Sequence, residues 1–277
     1  MIHKNINRAE YDALEGINFS KLKHFRDSRN KGAFELSNFK KTPAMVLGTA
    51  VHILALEPQN FERQFIIGGP INPKTGETYG RSTKAFADWL IENGRDMSEV
   101  LSEEDYRDAS EIAERARNAV AINKSDLFEF ALTWTDEKSG EACKCLVDFA
   151  QNGNYIGDLK TIDSALSEDN LSREIYMRQY YQQAAFYLDG ARANKIIDFD
   201  KFFFTFVQKS DEKETISKLL GDESIEIGRA HNQQCLENFK LYRDGLRSGY
   251  KFKEAFLDIP NYIRNSYFNT DFFGGVE

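Results

Sequence analysis

Three strand-like runs lie in the middle of this chain, between segments that have helical periodicity. The runs are LFEFALTWT, EACKCLVDFA and YIGDLKTI, which alternate partly and are rich in aromatic and β-branched residues. A further buried strand is predicted at IDFDKFFFTFVQK. Helices before and after a central group of strands imply a mixed α/β domain.

Helices are predicted on both sides of the strands from apolar periodicity and proline stops. The segment TPAMVLGTAVHILALEPQNF is apolar nearly all round and predicts a mostly buried helix. The other predicted helices are a short basic one at FSKLKHFRDS, one from about Thr83 after the basic loop NPKTGETYGRS, and those over 103–121, 172–193 and 226–248. We expect one domain over 1–277: a mainly helical part (1–125), the sheet with its helix (126–210), and a C-terminal helix and tail (211–277).

Composition excludes several classes of protein. Only five prolines among 277 residues, with no Ser/Gly-rich stretch, argue against a flexible linker. No apolar run approaches the ~20 residues that span a bilayer, and the N-terminus MIHKNINRAEYDALEG lacks a signal-peptide layout. Three cysteines are too few for a four-cysteine metal site and make no disulfide framework, so a reducing cytoplasm is expected. The net charge of -8 argues against a large nucleic-acid-coating surface but permits a local basic channel.

Two acids and a lysine stand on the segment CLVDFAQNGNYIGDLKTID, around an Asn-Gly hairpin signal. A two-residue loop at this pair would set Asp148 opposite Gly157, with Asp158 and Lys160 on the other face. A three-residue loop or a bulge would instead set Asp148 opposite Asp158 and place all three charges on one face.

The choice between these registers matters energetically. Facing carboxylates at ~5 Å repel, and burial adds several kcal/mol unless a cation lies between them. A divalent metal would remove that penalty, with Lys160 as a second cation. A solvated hairpin that carries the charges by chance is the alternative, because an acid followed at this spacing by Asp-x-Lys is a common accident.

Other polar residues occur in apolar patterns. Gln183 and Tyr187 lie at i, i+4 on one predicted helix face, and Tyr180 and Tyr176 continue the row. A Tyr/Gln stripe at a helix–sheet seam is the alternative interpretation.

Two further candidates are a histidine and a glutamate. His52 lies inside the apolar helix, where its imidazole needs a hydrogen-bond or metal partner; it is either a ligand or a satisfied core residue. Glu129 is a carboxylate inside a strand pattern, which an edge or solvent-facing position also explains.

Taken in order, these segments resemble the nuclease domain of the RecE exonucleases (exodeoxyribonuclease VIII), which are PD-(D/E)xK nucleases related to lambda exonuclease and the RecB nuclease domain. The resemblance covers about 19–248. Its motifs are FSKLKHF, the Gly-x-x-x-His helix in LGTAVHILALEPQNF, the basic loop GETYGRSTKAF, the Glu-bearing strand EFALTW, the D…DxK core in CKCLVDF and GDLKT, and the Gln-x-x-x-Tyr helix in QAAFYLDG.

The resemblance implies an α/β, restriction-endonuclease-like core: a central mixed β-sheet flanked by helices, with a helical N-terminal segment. One departure is Leu146, where the family pattern leads us to expect an arginine two residues before Asp148. A phosphate or carboxylate partner is then missing or is supplied by Lys144.

The resemblance also implies a metal site. Asp148 and Asp158 would hold Mg²⁺ or Mn²⁺, one or two ions per site, with the Leu159 carbonyl as a further ligand. His52 and Glu129 would complete the metal environment.

The implied reaction is hydrolysis of DNA phosphodiester bonds to 5′-phosphate products. Lys160 would orient or deprotonate the attacking water, and Gln183 and Tyr187 would hold the water or the scissile phosphate. The enzyme would act processively, 5′→3′, from a duplex end and leave 3′ single-stranded tails for recombination by strand annealing. An endonuclease or single-strand nuclease of the same fold, and a catalytically silent DNA-binding relative, are the alternatives.

The partners implied by the resemblance are double-stranded DNA ends, a RecT-like single-strand annealing protein and further copies of the chain in a ring-shaped trimer or tetramer. The setting would be a prophage- or phage-encoded recombination module in a bacterial cytoplasm, without a membrane. Basic residues near the entrance are expected to bind phosphates, although ordinary surface charge explains any single one: Lys21, Lys23, Arg26, Lys74, Arg81 and Lys84.

Overall fold

The structure is a computed structural model of the chain, and it describes residues 1–4, 6–38, 42–195, 200–210 and 214–245. Met1–Asp244 forms one compact unit. The second unit, Gly245–Glu277, lies outside the described residues apart from Gly245. The predicted C-terminal tail and the last residues of the predicted helix 226–248 therefore fall outside them too.

Most of the described strands join one mixed sheet. The strands of the chain are β1 (Ile2–His3), β2 (Ile66–Ile67), β3 (Val100–Leu101), β4 (Leu127–Thr135), β5 (Ala142–Gln151), β6 (Tyr155–Ile162), β7 (Lys201–Gln208) and β8 (Thr215–Leu219). Six of them form the main sheet in the order β1-β4-β5-β6-β7-β8, and β2 pairs with β3. Among the described strands of the main sheet, only β6 and β7 are parallel neighbours.

Helices cover the sheet on both sides. They are α1 (Arg8–Ala13), α2 (Phe19–Leu22), α3 (Arg29–Asn38), α4 (Pro43–Leu56), α5 (Phe61–Gln64), α6 (Lys84–Glu92), α7 (Glu103–Arg117), α8 (Val120–Asn123), α9 (Glu168–Met177), α10 (Tyr180–Ala193) and α11 (Asp222–Gly245). One core cluster includes Phe186 of α10 and Cys235 of α11. The other includes Val51 of α4, Ile112 of α7 and Leu159 of β6. The predicted mixed sheet flanked by helices is confirmed.

Helix α4 begins where the sequence predicts. Thr42 is its N-cap, with a side chain that accepts from the amide of Met45, and Pro43 occupies the first turn, where its missing N–H costs nothing. The prediction of a mostly buried helix holds only for the C-terminal half. Met45 is 45% exposed, whereas Val51 is fully buried. The buried half carries His52 against the sheet.

The predicted helix over 172–193 is broken. α9 ends at Met177 and α10 begins at Tyr180, with Gln179 between them at φ +61°. A left-handed backbone cannot continue a right-handed helix. Tyr176 therefore belongs to α9, where it is 58% exposed, and it does not continue the row of Tyr180, Gln183 and Tyr187. That part of the sequence prediction is wrong.

The three cysteines lie in the interior. Cys143 and Cys145 are on β5 and Cys235 is on α11, and all three are free and buried. Burial raises the pKa of Cys143 to about 12 and that of Cys235 to about 11.

Within the described residues, no helix combines the length and the apolar character needed to cross a membrane.

Candidate active site

The loop between β5 and β6 has three residues. Gln151 pairs with Tyr155 and Phe149 pairs with Gly157. Gly153 in the loop has φ +72°, which glycine adopts without strain. Continuing this register by one step sets Asp148 opposite Asp158. Of the two registers that the sequence left open, the structure has the second.

Beyond Phe149 and Gly157 the two strands separate, and we call this place the fork. Here the backbone N–H of Leu159 donates to Oδ2 of Asp148 at 2.8 Å. A side-chain carboxylate thus replaces the carbonyl that a paired strand would offer. β6 pairs with β7 along its whole length and β5 stays paired with β4, so the sheet opens only between β5 and β6. The fork leaves room for polar side chains between two buried strands.

Three potential metal ligands meet at the fork. Nδ1 of His52 lies 3.2 Å from Oδ2 of Asp148. Glu129 stands on β4, at the position that the register sets opposite Asp148, and its backbone has φ +44°. Ligand atoms of His52, Glu129 and Asp148 all lie within 4.8 Å of one another. Positive φ at a non-glycine residue is strained and is often found at functional sites.

Negative charge is crowded at this cluster. Burial and the carboxylate of Asp158 raise the pKa of Asp148 to about 6, although His52 and Lys160 oppose the shift. Burial, together with Asp148, Glu57 and Asp158, raises the pKa of Glu129 well above its usual value. A cation would relieve this repulsion, and one imidazole nitrogen with two carboxylates is a donor set that suits a divalent metal. The cluster can therefore hold such an ion.

Asp158 has different partners from Asp148. It is buried, forms an ion pair with the ammonium of Lys160, and accepts a hydrogen bond from Nε2 of Gln183. Among the described residues it therefore stands outside the His52–Glu129–Asp148 cluster. Burial is the largest influence on the pKa of Lys160 and lowers it, but Asp158, Tyr180 and Asp148 together outweigh burial, and the pKa is raised. Lys160 is thus a buried ammonium at the fork.

Helix α10 brings further polar groups to the fork. Gln183 is buried beside Asp158. The ring of Tyr187, one turn later, lies 6.1 Å from that of Phe202. Burial and the charge of Asp158 raise the pKa of the Tyr187 hydroxyl well above its usual value, so it stays protonated and can donate a hydrogen bond.

Lys144 does not serve as the phosphate or carboxylate partner considered for the missing arginine. Its Nζ donates to the backbone carbonyls of Tyr11, Asp12 and Leu14 at 3.0, 3.0 and 2.6 Å. These three bonds use all the donors of an ammonium group. Lys144 therefore fastens the end of α1 to β5, and its role is structural.

The predicted DNA-binding residues fall into two groups. Lys21, Lys23 and Arg26 lie on or just after α2, and Lys23 and Arg26 line a pocket with the end of α9 and the residues before α10. Burial and repulsion by Lys160 lower the pKa of Lys23, so its ammonium is near the fork.

The second group, Lys74, Arg81 and Lys84, precedes or begins α6. Lys74 is exposed in the loop. Arg81 donates to the carbonyl of Val100 at 3.1 Å, and Lys84 pairs with Asp88 at 2.5 Å. Two of these three cations therefore already have local partners.

Sequence reasoning missed three features of the fork. The Leu159 group that contacts the acids is its amide, which binds Asp148. Glu57, at the C-cap of the His52 helix, adds negative potential at Glu129. The face of the Tyr180 ring lies 4.7 Å from Nζ of Lys160. Only the last had a sequence signal, since Tyr180 precedes Gln183 by three residues on the same helix.

The comparisons with known proteins concern the family and the fold of the chain. Residues 18–248 match a family described as "PDDEXK-like domain of unknown function (DUF3799)". A crystal structure of a "putative exonuclease" from Eubacterium rectale matches with a TM-score of 0.59 and 16% identity, over 91% of this chain and 96% of that chain. The comparison with curated proteins found no match.

At 16% identity the structural likeness shows the fold alone, and neither finding separates a RecE-type enzyme from other members of the superfamily. The family match nevertheless covers most of the chain. The chain therefore belongs to the family of PDDEXK-like domains DUF3799 and has the α/β fold of the PD-(D/E)xK nucleases.

Proposed function

We propose that this protein is a divalent-metal-dependent DNA exonuclease that hydrolyses the phosphodiester bonds of linear double-stranded DNA. The observation that carries the proposal is the cluster at the fork, where ligand atoms of His52, Glu129 and Asp148 lie within 4.8 Å of one another. The buried ammonium of Lys160 beside them supplies the positive charge that an anionic phosphodiester needs.

The metal would be Mg²⁺ or Mn²⁺. Asp148, Glu129 and His52 would hold it, and Asp158 with the Leu159 carbonyl would join the ligand set of a first or second ion. A bound ion of this kind polarises the phosphoryl oxygens and lowers the pKa of a bound water. His52 makes Mn²⁺ a good test ion, because imidazole is a softer ligand than carboxylate.

The chain's own residues would position the reactants. With its raised pKa, Lys160 is an ammonium group that orients the water and offsets phosphate charge. Gln183 keeps a second amide N–H besides the one that it donates to Asp158, and Tyr187 offers its hydroxyl. Both can donate hydrogen bonds to the water or to the scissile phosphate.

A basic pocket supports a nucleic-acid substrate. It has a volume of about 260 Å³ and lies between the segment after α2 and the break before α10. Lys23, Arg26 and Arg178 line it, and the acids Asp27 and Glu35 are paired with Lys31 and His24. Phosphate groups of a strand that enters the fork would meet this positive charge.

The finer features of the proposal come from the resemblance to RecE. They are 5′→3′ polarity, processive action that yields 3′ tails for annealing, a ring-shaped homo-oligomer around the DNA, and a RecT-like annealing partner from a phage or prophage module. A ring would keep the strand enclosed between successive cleavages.

The test is incubation with Mg²⁺ or Mn²⁺ and linear duplexes labelled at the 5′ or the 3′ end, with a covalently closed circle as control. We expect early release of 5′-labelled mononucleotides and an intact circle. The Asp148→Ala variant should bind DNA without degrading it, whereas Asp163→Ala should remain active, because Asp163 lies just after β6 with its side chain 81% exposed.

Each other outcome identifies an alternative. Nicking of the circle would indicate an endonuclease, and preference for unpaired strands would indicate a single-strand nuclease. DNA binding by the wild type without cleavage under either metal would indicate a catalytically silent binding protein and would refute the proposal.

A further inference from the structure

The ammonium of Lys160 lies between a carboxylate and the face of an aromatic ring. It forms an ion pair with Asp158. It also lies 4.7 Å from the centroid of the Tyr180 ring. The quadrupole of an aromatic ring attracts a cation over its face, and the attraction grows when the cation is shielded from water. The side chain of Lys160 is only 16% exposed. The ring is therefore a second attachment point for the ammonium.

A second attachment point matters because other charges act on this ammonium. The ammonium groups of Lys23 and Lys160 repel each other. The Asp158 carboxylate that attracts Lys160 is shared with Gln183. A lysine side chain has four rotatable bonds, so one ion pair does not fix its position.

The Tyr180 ring is itself held by the neighbouring strand. Its centroid lies 5.5 Å from that of Phe204 and 6.5 Å from that of Phe206. The parallel register of β6 and β7 pairs Asp158 with Phe204 and Lys160 with Phe206. The ring thus rests on the two residues that stand beside the ion pair in the sheet.

The backbone also fixes where Tyr180 stands. The break after α9 puts Gln179 at φ +61° and makes Tyr180 the first residue of α10. A left-handed non-glycine residue persists only when its surroundings determine it strongly. The helix start, the phenylalanine pair and the strand register therefore all direct the ring to the same place.

We propose that Tyr180 is a positioning residue, which holds the Lys160 ammonium at the reaction centre through the face of its ring. This inference rests on the proposed nuclease function. The role belongs to the ring and not to the hydroxyl. Two other roles for Tyr180 make different predictions: a hydroxyl that contacts the substrate, and a ring that only fills the core.

The kinetic test compares Tyr180→Phe with Tyr180→Leu in single-turnover cleavage of a labelled duplex with Mg²⁺. The phenylalanine variant should keep the wild-type rate within about threefold. The leucine variant should lose on the order of 10²-fold in rate, as expected for a misplaced catalytic group, with KM nearly unchanged. Tyr181→Leu is the matched control, because the Tyr181 ring contacts Tyr176 and His231 instead.

Three kinetic outcomes would overturn the inference. Equal loss in both Tyr180 variants would assign the role to the hydroxyl. An unchanged rate in Tyr180→Leu would show that the ring only fills the core. A loss of rate in Tyr181→Leu as large as in Tyr180→Leu would show the same.

A spectroscopic arm separates failure of this inference from failure of the proposed function. In protein made with ¹³C-labelled lysine, the Lys160 side-chain signal is identified by its loss in Lys160→Arg. Ring current should shift it upfield in the wild type and in Tyr180→Phe, and the shift should vanish in Tyr180→Leu. An inactive wild type with this pattern would refute the nuclease function and support the contact between Lys160 and Tyr180. An active wild type without the upfield signal would support the nuclease function and refute the contact.

Discussion

The backbone N–H of Leu159 on β6 donates a 2.8 Å hydrogen bond to Oδ2 of Asp148 on β5. This bond ends the pairing of the two strands and turns a continuous sheet into a fork. It also fixes the carboxylate oxygen that lies 3.2 Å from Nδ1 of His52. Asp148 is therefore both a candidate metal ligand and the residue at which the pairing of β5 with β6 ends.

The strained backbone of Glu129 gives the first prediction. At φ +44°, glycine is free of the strain that any other residue suffers. Glu129→Gly should therefore be more stable than Glu129→Ala by about 1 kcal/mol in urea unfolding. Both variants should lose metal-dependent cleavage.

Thr135 provides the control for this comparison, because it is an exposed residue at the end of the same strand. At this position the order should reverse, with the Thr135→Ala variant more stable than the Thr135→Gly variant. The same order at both positions would show that Glu129 is not strained in solution.

The second prediction concerns pH. The pKa of Asp148 is raised to about 6, so the native state binds its proton more tightly than the unfolded state, where an aspartate titrates near ~4. Raising the pH from about 4 through 6 removes that proton from the native state and lowers the free energy of unfolding. The metal-free protein should therefore have a lower Tm at pH 7.5 than at pH 5.

Added Mg²⁺ or Mn²⁺ should reverse this trend, because the ion competes with the proton for the same oxygens. The metal-induced rise in Tm should be larger at pH 7.5 than at pH 5, and Asp148→Asn should lose most of it. A metal-induced rise that is the same at both pH values would contradict the assignment of the ligands.

The buried ion pair gives the third prediction. Lys160→Met leaves the buried carboxylate of Asp158 without its cation, which should cost about 3–5 kcal/mol in urea unfolding of the metal-free protein. The double variant with Asp158→Asn should recover most of this loss, because the uncompensated charge is removed.

Lys218→Met is the comparison, since its pair with Glu168 is exposed. Lys218→Met should lower the free energy of unfolding by less than about 1 kcal/mol. If Lys160→Met were equally mild, the ammonium would not be paired with Asp158.

The fourth prediction separates folding from catalysis. Lys144→Met removes the ammonium donor from the carbonyls of Tyr11, Asp12 and Leu14, and of these the Tyr11 carbonyl keeps the amide of Leu14 at 3.2 Å. The loss should cost about 1–3 kcal/mol for each carbonyl that stays buried and unpaired. We expect lower thermal stability and an unchanged affinity for metal. Lys138→Met, at an exposed position in the β4–β5 loop, should change neither. Loss of metal affinity with unaltered stability would instead place Lys144 in the site.

Local patterns predicted the elements of this fold well, and they failed where the backbone leaves its regular path. The strands, the start of α4 at Pro43 and the helix after Thr83 follow from alternation, periodicity and capping, which are local properties. The break at Gln179 had no such signal, because glutamine is a good helix former. Packing against the sheet overrides that preference.

The sequence predicted that His52, Glu129 and Asp148 belong to one site, and the structure brings them together, but the sequence did not predict their arrangement. The sequence left two hairpin registers open, and a difference of one loop residue decided which acids face each other. Spacing also could not reveal that Asp158 is held by Lys160 and Gln183 while Asp148 lies beside His52. These contacts join α10 and α4 to the sheet, and they depend on tertiary packing.

The interior position of Cys143, Cys145 and Cys235 has a practical consequence. Thiols with raised pKa values in an apolar interior react slowly with maleimides and other alkylating reagents. A single cysteine introduced on the surface, for example at exposed Lys74, would then be the preferred point of attachment for a fluorophore. The native chain thus offers a low-background scaffold for attaching a single fluorophore.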